Sequence, residues 1–179
     1  ENFKITTMDD LKMAEKLLPR IARAGMGFDV HAFTDGNKVR LCGVDITHNK
    51  SLAGHSDADA ALHAITDALL GAIAAGDIGQ HFPPSDPQWK GADSSVFLKK
   101  AVEMVRAHGG QIINIDVTII CEAPKIGPHR EKMQARVAEI CSIQPDQVGI
   151  KATTTEGLGF TGRGEGIAAQ AIVSVVVAA

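Results

Sequence analysis

Asp29 and His31 stand two residues apart in the run Gly27-Phe28-Asp29-Val30-His31. On a strand, residues i and i+2 share a face. A carboxylate and an imidazole would then point the same way while Val30 points into the core. The pair is either half of a metal site or a chance spacing, since Asp-x-His is a common tripeptide. A second group is His55-Ser56-Asp57-Ala58-Asp59-Ala60-Ala61-Leu62-His63. If this segment is helical, Asp59 and His63 lie on one face, as do His63 and Asp67. Acids near a helix N-terminus suit the dipole, which accounts for Asp57 and Asp59. It does not account for His63, which sits among Ala, Leu and Ile and is either a satisfied core group or a ligand. Joined to Asp29 and His31, it completes an Asp-His-His set. Three protein donors leave the fourth position of a tetrahedral zinc open, the mark of a catalytic site. Asp67 or Asp59 could orient the His63 ring from behind. His55 precedes the expected helix, where free N–H groups favour anions. It is a phosphate contact or a surface loop histidine.

A third group lies near the C-terminus. Lys151, Thr153, Thr154, Thr155 and Glu156 run into Gly157–Gly166, where five of ten positions are Gly and Phe160 and Arg163 are interspersed. Glycines admit a ligand close to the backbone, and hydroxyls, amides and Arg suit phosphate. Glu156 could hold a hard cation such as Mg²⁺ against phosphate oxygens. A flexible hairpin loop explains the glycines alone. The pattern GxxxxGK[ST] is absent, so this is no P-loop. The stretch Cys121-Glu122-Ala123-Pro124-Lys125-Ile126-Gly127 follows a strong apolar run. It is a strand-end ligand loop or a plain turn.

The elements that must position these residues alternate. Arg23–Phe33, Gln111–Glu122, Val148–Thr154 and Ile167–Ala178 read as strands, and Val39–Cys42 with Val44–Ile46 as a hairpin. Ser56–Ala75, with Ser56 as N-cap and Asp59 at N3, Ser94–His108 and Pro128–Ser142 read as helices. The order predicts an α/β (α+β) sandwich, a small mixed β-sheet with helices on one face. The last strand, Ile172-Val173-Ser174-Val175-Val176-Val177, is apolar on both faces and should be buried on both. Three helices cover one face only, so the other is expected against a second copy of the chain. Ahead of this unit, Thr7-Met8-Asp9-Asp10 resembles a capping box. Leu11, Ala14, Leu17 and Leu18 follow at helical spacing, with Pro19 ending the helix near Leu18 and a linker running through Ala22.

The chain has 179 residues, about one domain's worth. Its net charge of −3 argues against a broad basic face for nucleic acid. No apolar run reaches the roughly 18 residues of a membrane span. Three scattered Cys without a CxxC fit a reduced, cytoplasmic protein. The start at Glu1 and the different character of residues 1–22 are expected of a piece of something longer.

Taken in order, Gly27–His31, His55–His63, Asp77-Ile78-Gly79, Ala123-Pro124-Lys125 and Thr153–Gly166 closely resemble the 2-C-methyl-D-erythritol 2,4-cyclodiphosphate synthases of the non-mevalonate isoprenoid pathway. The resemblance covers about Arg23 to Ala179. It implies a homotrimer with each active site between two subunits, and zinc on Asp29, His31 and His63. It also implies Mg²⁺ or Mn²⁺ near Glu156 and a cytidine-diphosphate-linked substrate. His55, Ser56 and Thr154 match the phosphate-positioning and transition-state groups. Asp77-Ile78-Gly79 and Phe82-Pro83-Pro84-Ser85-Asp86 match the methylerythritol contacts. Cys121–Gly127 and Thr153–Glu156 match the cytidine and phosphate pocket, and Phe160 and Arg163 also line the ligand site. Two positions depart from the usual pattern: Gly157 where Lys is common, and Cys121 where Ala is common. Residues 1–15 resemble the C-terminal end of a cytidylyltransferase that is fused to this enzyme in some members. Two other readings of the same residues are a zinc-dependent phosphohydrolase and a non-catalytic, metal-stabilised trimeric scaffold.

Overall fold

The computed structural model describes residues 4–17 and 19–179. The expected helix end at Leu18, and the first three residues of the cytidylyltransferase-like segment, lie outside the described residues. Helix α1 (Met8–Leu17) starts as the capping pattern requires. Thr7 Oγ1 accepts from Asp10 N at 3.1 Å, and Asp10 Oδ2 accepts from Thr7 N at 2.8 Å. Hydrogen bonds from Thr6 and Thr7 bring the Asp10 carboxyl down to about 2.

No linker extends to Ala22. Strand β1 (Arg20–Thr34) begins at Arg20, which pairs with Ala178 of β7 (Gly166–Ala178). The rest of the main sheet is β4 (Ser51–Leu52), β5 (Gln111–Ile120) and β6 (Val148–Thr153), in the order β4-β1-β7-β5-β6. Only β5–β6 is parallel, so the sheet is mixed as expected. Strands β2 (Lys38–Leu41) and β3 (Val44–Thr47) form the expected hairpin apart from it.

One face of the sheet carries the core. Ile167, Ala169, Ala171, Val173, Val175 and Val177 of β7 are buried there beside Ile115, Val117 and Ile119 of β5. Against them pack helices α2 (Ala60–Ala72), α4 (Ser95–Ala107) and α5 (Arg130–Cys141). Fully buried Leu62, Ile65, Leu69 and Leu70 anchor α2. Each such side chain is worth about 1.5–3 kcal/mol of burial.

Two glycines set how close α2 comes. A Cβ on Gly25 would lie 1.9 Å from the Ala68 carbonyl oxygen, and one on Gly27 2.0 Å from that of Ala64. Only Gly at both positions lets the helix backbone rest on the strand. The opposite face is open in the single chain: Met26 is 63% exposed, Phe28 52% and Ile172 45%. Val30 lies on this open face, which corrects the expectation that it points into the core, and within the single chain the helices cover one side of the last strand.

The helix over the second motif begins later than expected. Its N-cap is Asp59, whose side chain accepts from Leu62 N, while Ser56 lies in the preceding loop. The Gly-rich loop holds one short helical turn, α6 (Gly159–Gly162).

Candidate metal site and ligand pockets

The register of β1 puts Gly25, Gly27, Asp29 and His31 on the face that α2 covers. Helix numbering falls as strand numbering rises, because Gly25 meets Ala68 and Gly27 meets Ala64. The next turn brings His63 over Asp29 and His31. Its Nδ1 lies 3.0 Å from Asp29 Oδ2 and 3.2 Å from His31 Nε2. His31 Nε2 lies 3.0 Å from the same Asp29 oxygen. Donors around a tetrahedral zinc with bonds of about 2.0–2.1 Å stand about 3.3 Å apart. The triangle is nearly that size, and its donor types suit zinc. Among the described residues this is the one cluster of three or more His, Cys, Asp or Glu with such convergence.

The second ring nitrogens are also held. His31 Nδ1 lies 2.7 Å from the Ala53 carbonyl oxygen, so it donates and leaves Nε2 bare. His63 Nε2 lies 2.8 Å from Ser94 Oγ and 3.2 Å from Ser56 Oγ. Burial pushes the Asp29 carboxyl up, but hydrogen bonds and charge from His31 and His63 outweigh it and hold the group below the usual carboxylate range. Burial pulls the His31 imidazole down, and the hydrogen bond and charge of Asp29 carry it above its ordinary value.

Neither acid expected to orient His63 does so. Asp59 is fully buried and accepts from Cys42 N at 2.9 Å, Gly43 N at 2.6 Å and Leu62 N at 3.0 Å, tying the β2–β3 turn to the start of α2. Burial pushes its carboxyl up, against the pull of those N–H donors. Asp67 accepts from Ile78 N at 2.7 Å. Asp59, Ala60 and Ala61 are sealed from solvent, so the helix N-terminus offers no anion site beside His55. Ser94 and Asp57 are the residues behind His63 that sequence reasoning did not assign. The signal was faint: Asp93-Ser94-Ser95 offers three capping types for one helix, and Asp93 suffices, accepting from Ser95 N at 2.8 Å.

The triad floors a pocket of ≈180 Å³ that His55, Ser56, Ile78, Gly79, Phe82 and Pro84 also line. Trp89 and Phe97 complete it, and neither stood out in the sequence. Phe82 meets Trp89 edge-on at 5.2 Å and Phe97 at 4.7 Å, forming an apolar wall. Asp77 caps α3 (Ile78–His81), and Asp86 caps the turn at Pro87–Trp89. Pro83 and Ser85 are exposed beside them.

A separate pocket of ≈230 Å³ gathers Cys121, Glu122, Pro124, Lys125, Ile126, Gly127, Thr153 and Thr154, together with Ala152 and Arg130. The Ala123–Pro124 bond in its rim is cis. Ala123 itself opens on a neighbouring groove with Phe33 and Lys50. Burial pushes the Cys121 thiol up to about 11, so it stays protonated at neutral pH. Glu122 Oε1 accepts from Thr155 N at 3.1 Å, holding the β6 exit against the β5 exit. Thr155 Oγ1 donates to the Leu158 carbonyl at 2.6 Å, and Thr154 Oγ1 to Glu156 Oε1 at 2.6 Å. Phe160 is part-exposed, and Arg163 makes a two-point pair with Glu165 at 2.7 and 3.1 Å. The two pockets share no lining residue.

The model of the YgbB family matches residues 22–176. The bifunctional enzyme IspD/IspF of Caulobacter vibrioides is 60% identical over 174 residues, which are 96% of this chain and 46% of that protein. The chain thus spans about half the length of the curated relatives it matches. Among solved structures, bifunctional IspDF from Campylobacter jejuni superposes with a TM-score of 0.86 at 39% identity, over 89% of this chain and 43% of that one. A 2C-methyl-D-erythritol-2,4-cyclodiphosphate synthase in its CDP-bound form gives 0.78 at 38% identity, over 84% of this chain and 98% of that one.

Proposed function

Because this chain belongs to the YgbB family, we propose that it is a phosphorus–oxygen lyase of non-mevalonate isoprenoid biosynthesis. It converts 4-diphosphocytidyl-2-C-methyl-D-erythritol 2-phosphate to 2-C-methyl-D-erythritol 2,4-cyclodiphosphate and CMP. The observation that carries the reading is the Asp29–His31–His63 triangle, with sides of 3.0, 3.0 and 3.2 Å, opening on a pocket with one apolar wall. Three protein donors fit a catalytic zinc and fall short of the four that a scaffold site requires.

Zinc on the triad, and magnesium or manganese beside Glu156, would supply positive charge to the diphosphate oxygens. The chain itself supplies position. The 2-phosphate is already an anion, so no general base is needed. An oxygen of the 2-phosphate bonds to the β-phosphorus while the bond from that phosphorus to the CMP oxygen breaks. His55 and Ser56 stand beside the triad to hold phosphate oxygens. Ile78, Gly79, Phe82 and Pro84 contact the methylerythritol part, and Asp77 and Asp86 hold those turns. The wall of Phe82, Trp89 and Phe97 keeps competing water away. Keeping both reacting phosphates in one pocket removes most of the entropic cost of ring closure.

Lys125 and Thr154, in the second pocket, suit the cytidine diphosphate end, and the CDP-bound structural relative supports a cytidine diphosphate ligand for the fold. The two pockets lie apart in one chain. The open sheet face with Met26, Phe28 and Ile172 supports a homotrimer that brings one subunit's second pocket to its neighbour's triad. Residues 1–22 are proposed as the tail of a fused cytidylyltransferase domain, in line with the bifunctional relatives. No helix is long and apolar enough to cross a membrane among the described residues, and a cytoplasmic location suits the three free thiols.

Phosphorus NMR of the products, with and without EDTA, tests the reading. CMP and the cyclic diphosphate should form only without chelator. Inorganic phosphate would make the protein a hydrolase, and undiminished cyclisation in EDTA would overturn the metal assignment.

A further inference from the structure

Ser94 stands where a helix-capping hydroxyl is expected, immediately before α4, yet it makes no capping hydrogen bond. Its backbone is already helical (φ −63°, ψ −14°), and Asp93 serves the first-turn N–H in its place. The Ser94 side chain is fully buried, so its hydroxyl is committed elsewhere. It donates to Asp57 Oδ1, and its backbone N–H reaches Asp57 Oδ2 at 3.2 Å. Arg40 holds that carboxylate from the far side, 3.2 Å from Asp57 Oδ2, and pairs with Asp93 at 3.1 Å.

With a metal on His63 Nδ1, the direction of the chain of hydrogen bonds is fixed. A carboxylate only accepts, so the Ser94 proton goes to Asp57. The Ser94 oxygen lone pair then faces His63 Nε2 at 2.8 Å and must accept from it. With its proton on Nε2, His63 turns the bare Nδ1 toward Asp29 and His31.

On the reading of the triad as a metal site, we infer that Asp57 and Ser94 are positioning residues for the metal ligand His63. The Asp57–Ser94 pair selects the tautomer that ligates through Nδ1 and locks the ring plane. Arg40 keeps Asp57 in place. Ser56, also 3.2 Å from Nε2 but less enclosed, remains free to turn to substrate.

Removing such an outer partner weakens metal binding by about ten- to a hundredfold. Zinc affinity measured by chelator competition should fall by that factor in Ser94→Ala and return toward wild type in Ser94→Thr. The cyclase rate of Ser94→Ala should recover as zinc is raised. A Ser94→Ala protein with a wild-type melting curve and wild-type zinc affinity would overturn the inference. Nitrogen-15 NMR of the zinc-loaded wild type needs no variant. It should show the His63 proton on Nε2, slow to exchange, and a proton on Nδ1 would equally overturn it. A wild type that binds no zinc would instead overturn the metal reading itself, so the two failures are distinguishable.

Discussion

The triad pocket takes its donors from the middle of β1 and the first turn of α2, whereas the Cys121–Gly127 pocket takes its lining from the ends of β5 and β6 and the loops beyond. In the first, helix and strand backbones touch at Gly25 and Gly27, and both imidazoles have a second partner behind them. In the second, side chains hold loop to loop: Glu122 on Thr155 N, Thr155 on Leu158, Thr154 on Glu156. A metal needs donors fixed to a few tenths of an ångström, which regular elements provide. A flexible ligand tolerates the softer wall that loops provide.

The largest break in that contrast should come from Gly27→Val. Its Cβ would fall 2.0 Å from a helix carbonyl, and a cost above about 4 kcal/mol is expected, with loss of soluble, folded chain. A soluble variant that keeps zinc would show that the strand–helix contact does not set the triad. Asp59→Ala should come next. It leaves the N–H groups of Cys42, Gly43 and Leu62 without their acceptor. About 3 kcal/mol should be lost in denaturant melts, and an unchanged midpoint would count against the staple.

The next effect separates the pockets by pH. Metal binding must displace the proton that the metal-free triad holds. Asp29 raises the His31 imidazole above 6.5, so the proton competes from a pH above the ordinary imidazole range downward. Zinc affinity should therefore weaken steadily as pH falls from 8 to 6, while CDP affinity of the metal-free protein changes far less. A flat zinc profile would contradict the pairing. The smallest effect is expected from Gly157→Ala in the loop. Its φ of +78° strains any side chain, but nothing lies within 4 Å of the added Cβ, so the cost is about 1 kcal/mol with the fold intact. A loss near that of Gly27→Val would mean the loop is as tightly built as the strand–helix contact.

Legibility in the sequence follows the same division. The Gly-x-Gly-x-Asp-x-His alternation of β1 carries its own geometry, because a period of two puts all four residues on one face. Which face was missed, since Phe28 and Val30 look like core residues until one sees that α2 covers the glycine side. Asp59 was misplaced and Ser94 passed over for a related reason. A short polar side chain before a helix looks like a cap whether it serves the helix, a neighbouring turn or a histidine, and only tertiary contacts decide. The loop residues of the second pocket have no periodicity to read. Their grouping was legible through family resemblance alone, and Glu122 and Thr155 show in the structure a bracing role that residue type does not reveal.

In the proposed function Asp29, His31 and His63 hold a metal with one position open. X-ray absorption at the zinc edge of the loaded protein, with and without CDP, tests it most directly. The expected shell has four light donors, two of them imidazoles and none of them sulfur, and it changes when CDP is added. A sulfur donor, a third imidazole, or a shell indifferent to CDP would contradict it.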